Sequence, residues 1–190
     1  MFNAFHHSLS GSAPAGRETP VLPDPGDHPV LGTALDGPWP EGSRVIYLAA
    51  GCFWGVERIL WHQDGVVSTS VGYMGGQTPN PTYQEVCTGS TGHAETVRVV
   101  YDPAVCGEGG ETLLKTFWEN HDSTHLNRHG NDVGTQYRSA VWTTTPAQRE
   151  AAVRIREVFQ GELTRLGLGT CVTTIEDAAD APAQFGGPYY

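Results

Sequence analysis

From residue 44 onward, apolar residues recur with the spacings of strands and helices in turn. The run Val45–Leu48 is continuously apolar, which is typical of a buried strand. Residues 94–101 alternate between two faces, as a half-buried strand does. One face of this predicted strand carries four side chains: Glu95, Val97, Val99 and Tyr101. Further strands are predicted over residues 66–73, 139–143 and 171–175.

Helical spacing of apolar residues predicts three helices between these strands. The first covers Phe53–Trp61, the second carries Leu113 to His121, and the third follows the capping sequence Thr145-Pro146 and ends at Gly167. The predicted order is β-α-β-β-α-β-α-β. This order predicts an α+β fold with helices packed on a mixed sheet, and we expect a ferredoxin-like βαββαβ core.

Residues 1–43 differ from the rest of the chain. They hold 7 of the 13 prolines and 6 glycines, with little apolar periodicity. We therefore predict an extended arm rich in Pro and Gly over residues 1–43 and a folded domain over residues 44–190. Residues 122–137 are polar and rich in Gly and Asn, which predicts a long loop inside that domain.

The composition argues against two classes of binding partner. The formal net charge is −10 and Lys115 is the only lysine, which argues against nucleic acid or an anionic membrane surface as the main partner. No apolar run approaches the roughly 20 residues of a membrane helix, and the first residues do not resemble a secretory signal. Four cysteines without a C-x-x-C pair suit a reducing, cytoplasmic setting.

Cys52 has the position of a reactive thiol. It follows a predicted strand and Gly51 and stands where a helix begins, and helix N-termini stabilise a thiolate. A buried packing cysteine is the alternative at this stage, because free cysteines are among the most buried residues.

Several segments resemble the class A peptide methionine sulfoxide reductases, in family order over residues 44–176. The matching segments are Gly51-Cys52-Phe53-Trp54-Gly55-Val56-Glu57, Gly72-Tyr73-Met74-Gly75-Gly76, Tyr83-Gln84-Glu85-Val86-Cys87-Thr88-Gly89, Thr91-Gly92-His93-Ala94-Glu95 and Gly130-Asn131-Asp132-Val133-Gly134-Thr135-Gln136-Tyr137-Arg138-Ser139. The resemblance implies reduction of methionine-S-sulfoxide, free or in proteins, by a thiol-dependent oxidoreductase.

The same resemblance implies roles for individual residues. Cys52 would attack the sulfoxide sulfur, Glu95 would protonate the departing oxygen, and two phenols would hold that oxygen: Tyr83 and Tyr137. Asp132 would support the site through hydrogen bonds. Two aromatic rings would form an apolar wall for the substrate methyl group: Phe53 and Trp54. No prosthetic group is implied, and an external thiol such as thioredoxin would reduce the resulting sulfenic acid.

The sequence supports Glu95 independently, since it lies on the more apolar face of its strand, where a carboxyl loses water and its pKa rises. Each remaining assignment has a simpler alternative. Glu95 could cap the strand end in solvent, Asp132 could be a turn residue, and either aromatic ring could belong to the core.

The other cysteines are harder to assign. Cys87 and Cys171 are interpreted as packing residues, whereas Cys106 lies in a predicted Gly-rich loop and is the candidate accessible partner for Cys52. Many members of the family have a recycling cysteine in a tail beyond a Tyr-Tyr pair. This chain ends at such a pair, Tyr189-Tyr190, so we expect that the tail is absent.

Three other functions remain open from the residues alone. A cysteine hydrolase or acyl transferase would need a histidine base, and the chain has eight histidines. A metal site is a weak possibility at three histidines spaced four apart: His121, His125 and His129. A non-enzymatic interaction domain would use the arm as its working part.

Overall fold

A computed structural model describes residues 12–178, and Tyr189-Tyr190 lies outside the described residues. Five strands form one sheet in the order β2-β3-β1-β6-β7, and two very short strands, β4 and β5, pair as a separate hairpin. The strands are β1 Arg44–Ala50, β2 Val66–Met74, β3 Ala94–Tyr101, β4 Arg128–His129, β5 Asp132–Val133, β6 Ser139–Thr143 and β7 Thr174–Asp177.

Five helices and one 3-10 turn connect the strands. The helices are α1 Phe53–Leu60, α2 Tyr83–Cys87, α3 Pro103–Cys106, α4 Glu111–Glu119 and α5 Pro146–Leu166, and the 3-10 turn is Thr135–Tyr137. Helix α5 begins as its sequence predicts, because Thr145 and Gln148 form a reciprocal capping box around Pro146. It ends at Gly167, whose φ of 69° is left-handed.

The sheet is mixed. Strand β3 runs antiparallel to both β2 and β1, and β1 runs antiparallel to β6, whereas β7 runs parallel to β6 at the edge. The predicted α+β class with helices packed on a mixed sheet is confirmed. The ferredoxin-like core stays a prediction, and the sheet carries β7 as a fifth strand.

The two faces of the sheet differ. Alternate residues of β1 and β3 face the helices and join the larger apolar cluster, which includes Phe53, Tyr73 and Trp118. The intervening residues form a smaller cluster on the other face, around Met74 and Trp142. Side chains of β3 alternate between the two faces, as the sequence predicts. This alternation places Glu95 on the helix side of the sheet.

The described part of the arm lies irregularly against the domain. His28 is buried and its Nε2 lies 2.8 Å from Thr69 Oγ1, while Trp39 Nε1 donates to the Ala34 carbonyl oxygen within the arm. The Arg17 guanidinium donates to the Glu85 carboxylate on α2. These contacts connect the arm to the domain, but they do not test whether a domain boundary lies at residue 43. That boundary stays a prediction.

Three local expectations are wrong. Residues 103–106 form the helix α3 instead of a loop, so Cys106 is fully buried and not accessible. Cys87, interpreted as a packing residue, is exposed at the end of α2. The last strand begins at Thr174 and not at Cys171. Within residues 12–178, no helix is long and apolar enough to cross a membrane.

Candidate active site

Cys52 lies at the turn between β1 and α1, as the N-cap residue of that helix. Gly51 makes the turn with a φ of 96°, and a Cβ atom there would lie 2.5 Å from carbon atoms of His129. Only glycine avoids both the strained φ and this overlap. The thiol of Cys52 is half-buried at the helix N-terminus, which confirms where the sequence places it.

Glu95 is the acidic group next to this turn. It is buried, and its Oε2 accepts a hydrogen bond of 3.0 Å from the Phe53 amide, one residue beyond Cys52. Burial raises the pKa of Glu95 above its ordinary value, and the Asp132 carboxylate raises it further, against the effect of the Phe53 amide. A carboxyl in this environment favours its protonated form, which is the form of a general acid.

Two phenols flank this carboxyl. Tyr83 begins α2, and its hydrogen bond to the Cys87 thiol raises the pKa of the phenol to about 12. Tyr137 ends the 3-10 turn, and burial followed by the Glu95 charge raises its pKa. Both phenols are therefore neutral at physiological pH and keep an O–H group that can donate to an oxygen atom.

The two aromatic residues after Cys52 have different surroundings. Phe53 is buried in the larger apolar cluster, whereas Trp54 is 73% exposed beside it. Their ring centroids lie 6.5 Å apart. Phe53 is therefore partly a core residue, as the alternative interpretation predicts. The Trp54 ring is exposed to solvent beside it.

The β4–β5 hairpin covers the turn that carries Cys52. His129 of β4 contacts Gly51, and Asp132 of β5 pairs with His129 across the hairpin. Asp132 is exposed, and its charge acts on Glu95 and on Tyr137. Its influence is electrostatic here, and no side-chain hydrogen bond joins it to the site within the described residues.

One residue of the site was not assigned a role from the sequence. Tyr73 of β2 lies directly opposite Glu95 of β3, and its ring centroid is 5.7 Å from that of Phe53. The apolar pattern of residues 66–73 predicts the strand, but the register that places Tyr73 opposite Glu95 comes from the folded sheet.

The remaining cysteines and histidines do not join this cluster as ligands or bases. Cys171 packs partly buried against the larger apolar cluster, as expected. The imidazole of His121 lies between the Phe117 carbonyl oxygen and the Ser139 hydroxyl, at 2.7 Å from each. Among the described residues, no group of three His, Cys, Asp or Glu side chains could hold a metal ion.

The hydrolase alternative requires a histidine that can take the proton of the nucleophile. In the described part of the chain, no hydrogen bond joins Cys52 to a histidine. The Phe53 amide at the α1 N-terminus donates to a buried carboxyl instead, which suits delivery of a proton rather than its removal.

Comparison with known proteins agrees with this arrangement. The family model described as peptide methionine sulfoxide reductase matches residues 44–181. The peptide methionine sulfoxide reductase MsrA of Corynebacterium kroppenstedtii is 52% identical over 169 residues, which cover 89% of this chain and 76% of that protein.

Solved structures give the same family. Methionine sulfoxide reductase A of Corynebacterium diphtheriae has a TM-score of 0.84 and 46% identity, covering 94% of this chain and 82% of its own. Reduced Mxr1 of Saccharomyces cerevisiae has a TM-score of 0.65 and 33% identity, covering 73% of this chain and 78% of its own. Mxr1 has also been solved in complex with Trx2. The chain belongs to the peptide methionine sulfoxide reductase family.

Proposed function

We propose that this thiol-dependent oxidoreductase reduces methionine-S-sulfoxide, free or in polypeptides, with Cys52 as nucleophile and Glu95 as acid. One observation carries this assignment. The Glu95 carboxyl accepts the amide hydrogen of Phe53, so a buried acid lies one peptide unit from a thiol at a helix N-terminus. A sulfoxide held here would present its sulfur to the thiol and its oxygen to the acid.

The first step balances without a cofactor. The Cys52 thiolate attacks the sulfoxide sulfur and forms an S–S bond while Glu95 protonates the oxygen. The hydroxyl group then moves to the cysteine sulfur as the S–S and S–O bonds break, and the methionine sulfur keeps the freed electron pair. The products are methionine and a sulfenic acid on Cys52. Glu95 suits this role because its burial favours the protonated carboxyl.

The oxygen needs neutral donors while the S–O bond weakens. Tyr83 and Tyr137 are proposed for this role, because both phenols have raised pKa values and keep their protons. Donors already directed at the developing charge lower the barrier more than water does. The negative charge of Asp132 assists indirectly, since it raises the pKa values of Glu95 and Tyr137.

The methyl group of the substrate needs an apolar surface. Phe53 and Trp54 are proposed to supply it, the first as a buried floor and the second as an exposed ring. Discrimination between the two epimers would follow, because exchanging the oxygen and the methyl group would place oxygen against these rings and away from Glu95.

The second half of the cycle consumes thiols. An external thiol attacks the Cys52 sulfenic acid and releases water, and a second thiol then reduces the resulting disulfide to restore Cys52. We propose a thioredoxin-like reductant, as in the yeast complex of Mxr1 with Trx2. Such a cycle needs a reducing compartment, which supports the cytoplasmic prediction, and the four cysteines are free thiols.

Cys52→Ser tests the proposal directly. We expect the variant to lose reduction of methionine-S-sulfoxide, while the wild type leaves the R epimer unchanged, and Cys171→Ser should retain turnover as the control. Chiral chromatography of the remaining sulfoxide gives the readout. Equal consumption of both epimers by the wild type would contradict the assignment.

A single-turnover experiment separates the reductase from a hydrolase. One equivalent of S-sulfoxide without reductant should leave one added oxygen on the peptide that contains Cys52, or a disulfide from that residue, by mass spectrometry. A hydrolase would leave every cysteine unchanged, because it consumes no reducing equivalents.

A further inference from the structure

Tyr73 is the residue of the site without an assigned role. It is 7% exposed on β2, on the helix side of the sheet, directly opposite Glu95. Residues opposed in this way on an antiparallel pair have Cβ atoms about 4.5–5.5 Å apart, so the two side chains leave the sheet together. Its phenol has no hydrogen-bond partner among the described residues.

Phe53 joins both members of this pair. Its amide donates to Glu95, and its ring contacts the Tyr73 ring at a centroid distance of 5.7 Å. Phe53 thus contacts both residues, and Tyr73 is paired with Glu95 across the two strands. Glu95 and the two aromatic residues are all buried on the helix side of the sheet.

We propose that Tyr73 is a positioning residue for Glu95, whose ring excludes water from the carboxyl and holds it against the Phe53 amide. This inference rests on the proposed function, in which Glu95 supplies a proton. We assign the effect to the aromatic ring and not to the hydroxyl group, since the ring contacts Phe53 and belongs to the larger apolar cluster.

Other groups that face Glu95 act differently. Asp132 raises the pKa of Glu95 through its charge and the Phe53 amide lowers it, but burial is the largest influence. Glu95 in turn raises the pKa values of three phenols: Tyr73, Tyr83 and Tyr137. Cys52 and Cys87 act on the Tyr137 phenol nearby. Tyr73, like Phe53, is a neighbour of Glu95 whose aromatic bulk, rather than charge, is available to exclude water.

The test measures the carboxyl itself. Carbon-13 NMR of selectively labelled glutamate gives the midpoint at which Glu95 loses its proton, in protein that carries Cys52→Ser and with Glu95→Gln to assign the signal. We expect Tyr73→Thr, which keeps strand propensity but removes the ring, to lower this midpoint by about one pH unit. Tyr73→Phe should leave it unchanged.

A rate measurement follows from the same shift. At a pH above both midpoints, a drop of one pH unit in the midpoint reduces the protonated fraction about tenfold. Single-turnover formation of methionine by Tyr73→Thr, with Cys52 intact, should therefore slow by about the same factor. Tyr47→Ser, which lies on the other face of the sheet, is the matched control and should leave the Glu95 midpoint in place.

Two outcomes overturn the proposal. An unchanged Glu95 midpoint in Tyr73→Thr would show that the ring does not exclude water, even if the rate falls. A lowered midpoint in Tyr73→Phe would assign the effect to the hydroxyl. Should the threonine variant not fold, Tyr73→Leu removes the ring while keeping an apolar side chain, and an unchanged midpoint there would equally overturn the proposal. Failure of the proposed function is separate, because an inactive wild type would leave the NMR midpoints fully measurable.

Discussion

Glu95 holds its place through neighbours from three elements. It is anchored by the amide of α1, faces Tyr73 on β2, and is affected by the charge of Asp132 on β5. A buried carboxyl is costly to ionise, so the pKa of Glu95 is raised and the carboxyl is shifted towards its protonated form beside Cys52. The proposed mechanism uses this proton in its first step.

Glu95→Gln isolates this proton. The amide keeps the size of the side chain but cannot act as an acid, so we expect the chemical step to slow by about 10²–10⁴-fold while substrate binding changes little. Rapid-quench measurement of methionine formation, together with KM, checks the prediction. An unchanged rate would remove Glu95 from the mechanism.

His121 is a half-buried histidine with the opposite electrostatic preference. Burial lowers its pKa from 6.5 to about 4, so the folded protein holds a neutral imidazole between Phe117 and Ser139. The unfolded chain binds the extra proton between these values. The stability that depends on the neutral form is therefore fully present above pH 6.5 and is lost as the pH falls towards 4.

Replacing this histidine tests the linkage. The pKa difference corresponds to about 3 kcal/mol of unfolding free energy across the window, so wild-type stability should fall steeply between pH 6.5 and 4. His121→Gln should make that fall shallower, whatever its effect at neutral pH. Urea unfolding at half-unit pH steps gives both slopes, and parallel slopes would contradict the assignment.

At the scale of elements, the β1–α1 turn positions the proposed nucleophile, Cys52. Gly51 brings the chain close to His129 of β4, and the next residue begins the helix with its thiol at the N-terminal end. The turn therefore controls the direction of the Cys52 side chain and also the contact with the hairpin above it.

Two glycine substitutions separate these effects. Gly51→Ala must adopt a left-handed φ and displace His129, so we expect a loss of about 2 kcal/mol or more in unfolding free energy. Gly55→Ala lies in α1 with open space at its Cβ position, so it should stabilise the protein by about 0.5–1 kcal/mol. Denaturant unfolding compares them, and equal effects would argue against a special turn.

The longer elements could be predicted from sequence because each has a local cause. Strand β3 alternates over eight residues, and α5 carries its own capping box and terminal glycine. Helices α2 and α3, with five and four residues, are too short for a periodic signal. The exposures of Cys87 and Cys106 were consequently predicted the wrong way round, since both depend on which side of a single turn faces the core.

At the scale of the whole molecule, the arm is held by polar contacts spread over the domain. Besides Arg17 with Glu85, the Arg98 guanidinium donates to the Leu35 carbonyl oxygen and the Asp36 carboxylate of the arm. Arg98 also lies over the Trp39 ring at 5.2 Å from its centroid. The Arg98 contacts lie on the sheet face away from Glu95, so we expect them to support the fold rather than the reaction. Arg17 instead contacts α2, the helix that begins at Tyr83.

Deleting residues 1–43 tests that division. We expect the remaining chain to unfold several degrees lower, because Arg98 and Glu57 lose arm partners and apolar surface becomes exposed. Reduction of free methionine-S-sulfoxide at low temperature should persist. Thermal unfolding and turnover are measured on the same preparation, and an unchanged melting temperature would show that the arm contributes nothing to the fold.

Sequence analysis could predict the candidate site only where its residues are adjacent in the chain or match a family segment. Cys52, Phe53 and Trp54 are consecutive, so one segment brings them together. The pairing of Tyr73 with Glu95 depends on how β2 aligns with β3, and a shift of one residue would turn either side chain to the other face. The contact between His129 and Gly51 likewise joins segments 78 residues apart.

The exposed thiol of Cys87 has a practical consequence. Oxidised samples could crosslink through this surface position, and two chains joined there would migrate as a dimer on a non-reducing gel. An alkylating reagent applied to the native protein should mark Cys87 well before Cys106, which needs unfolding to react. Thiol titrations during turnover therefore include a signal from Cys87, which the same titration on Cys52→Ser protein measures separately.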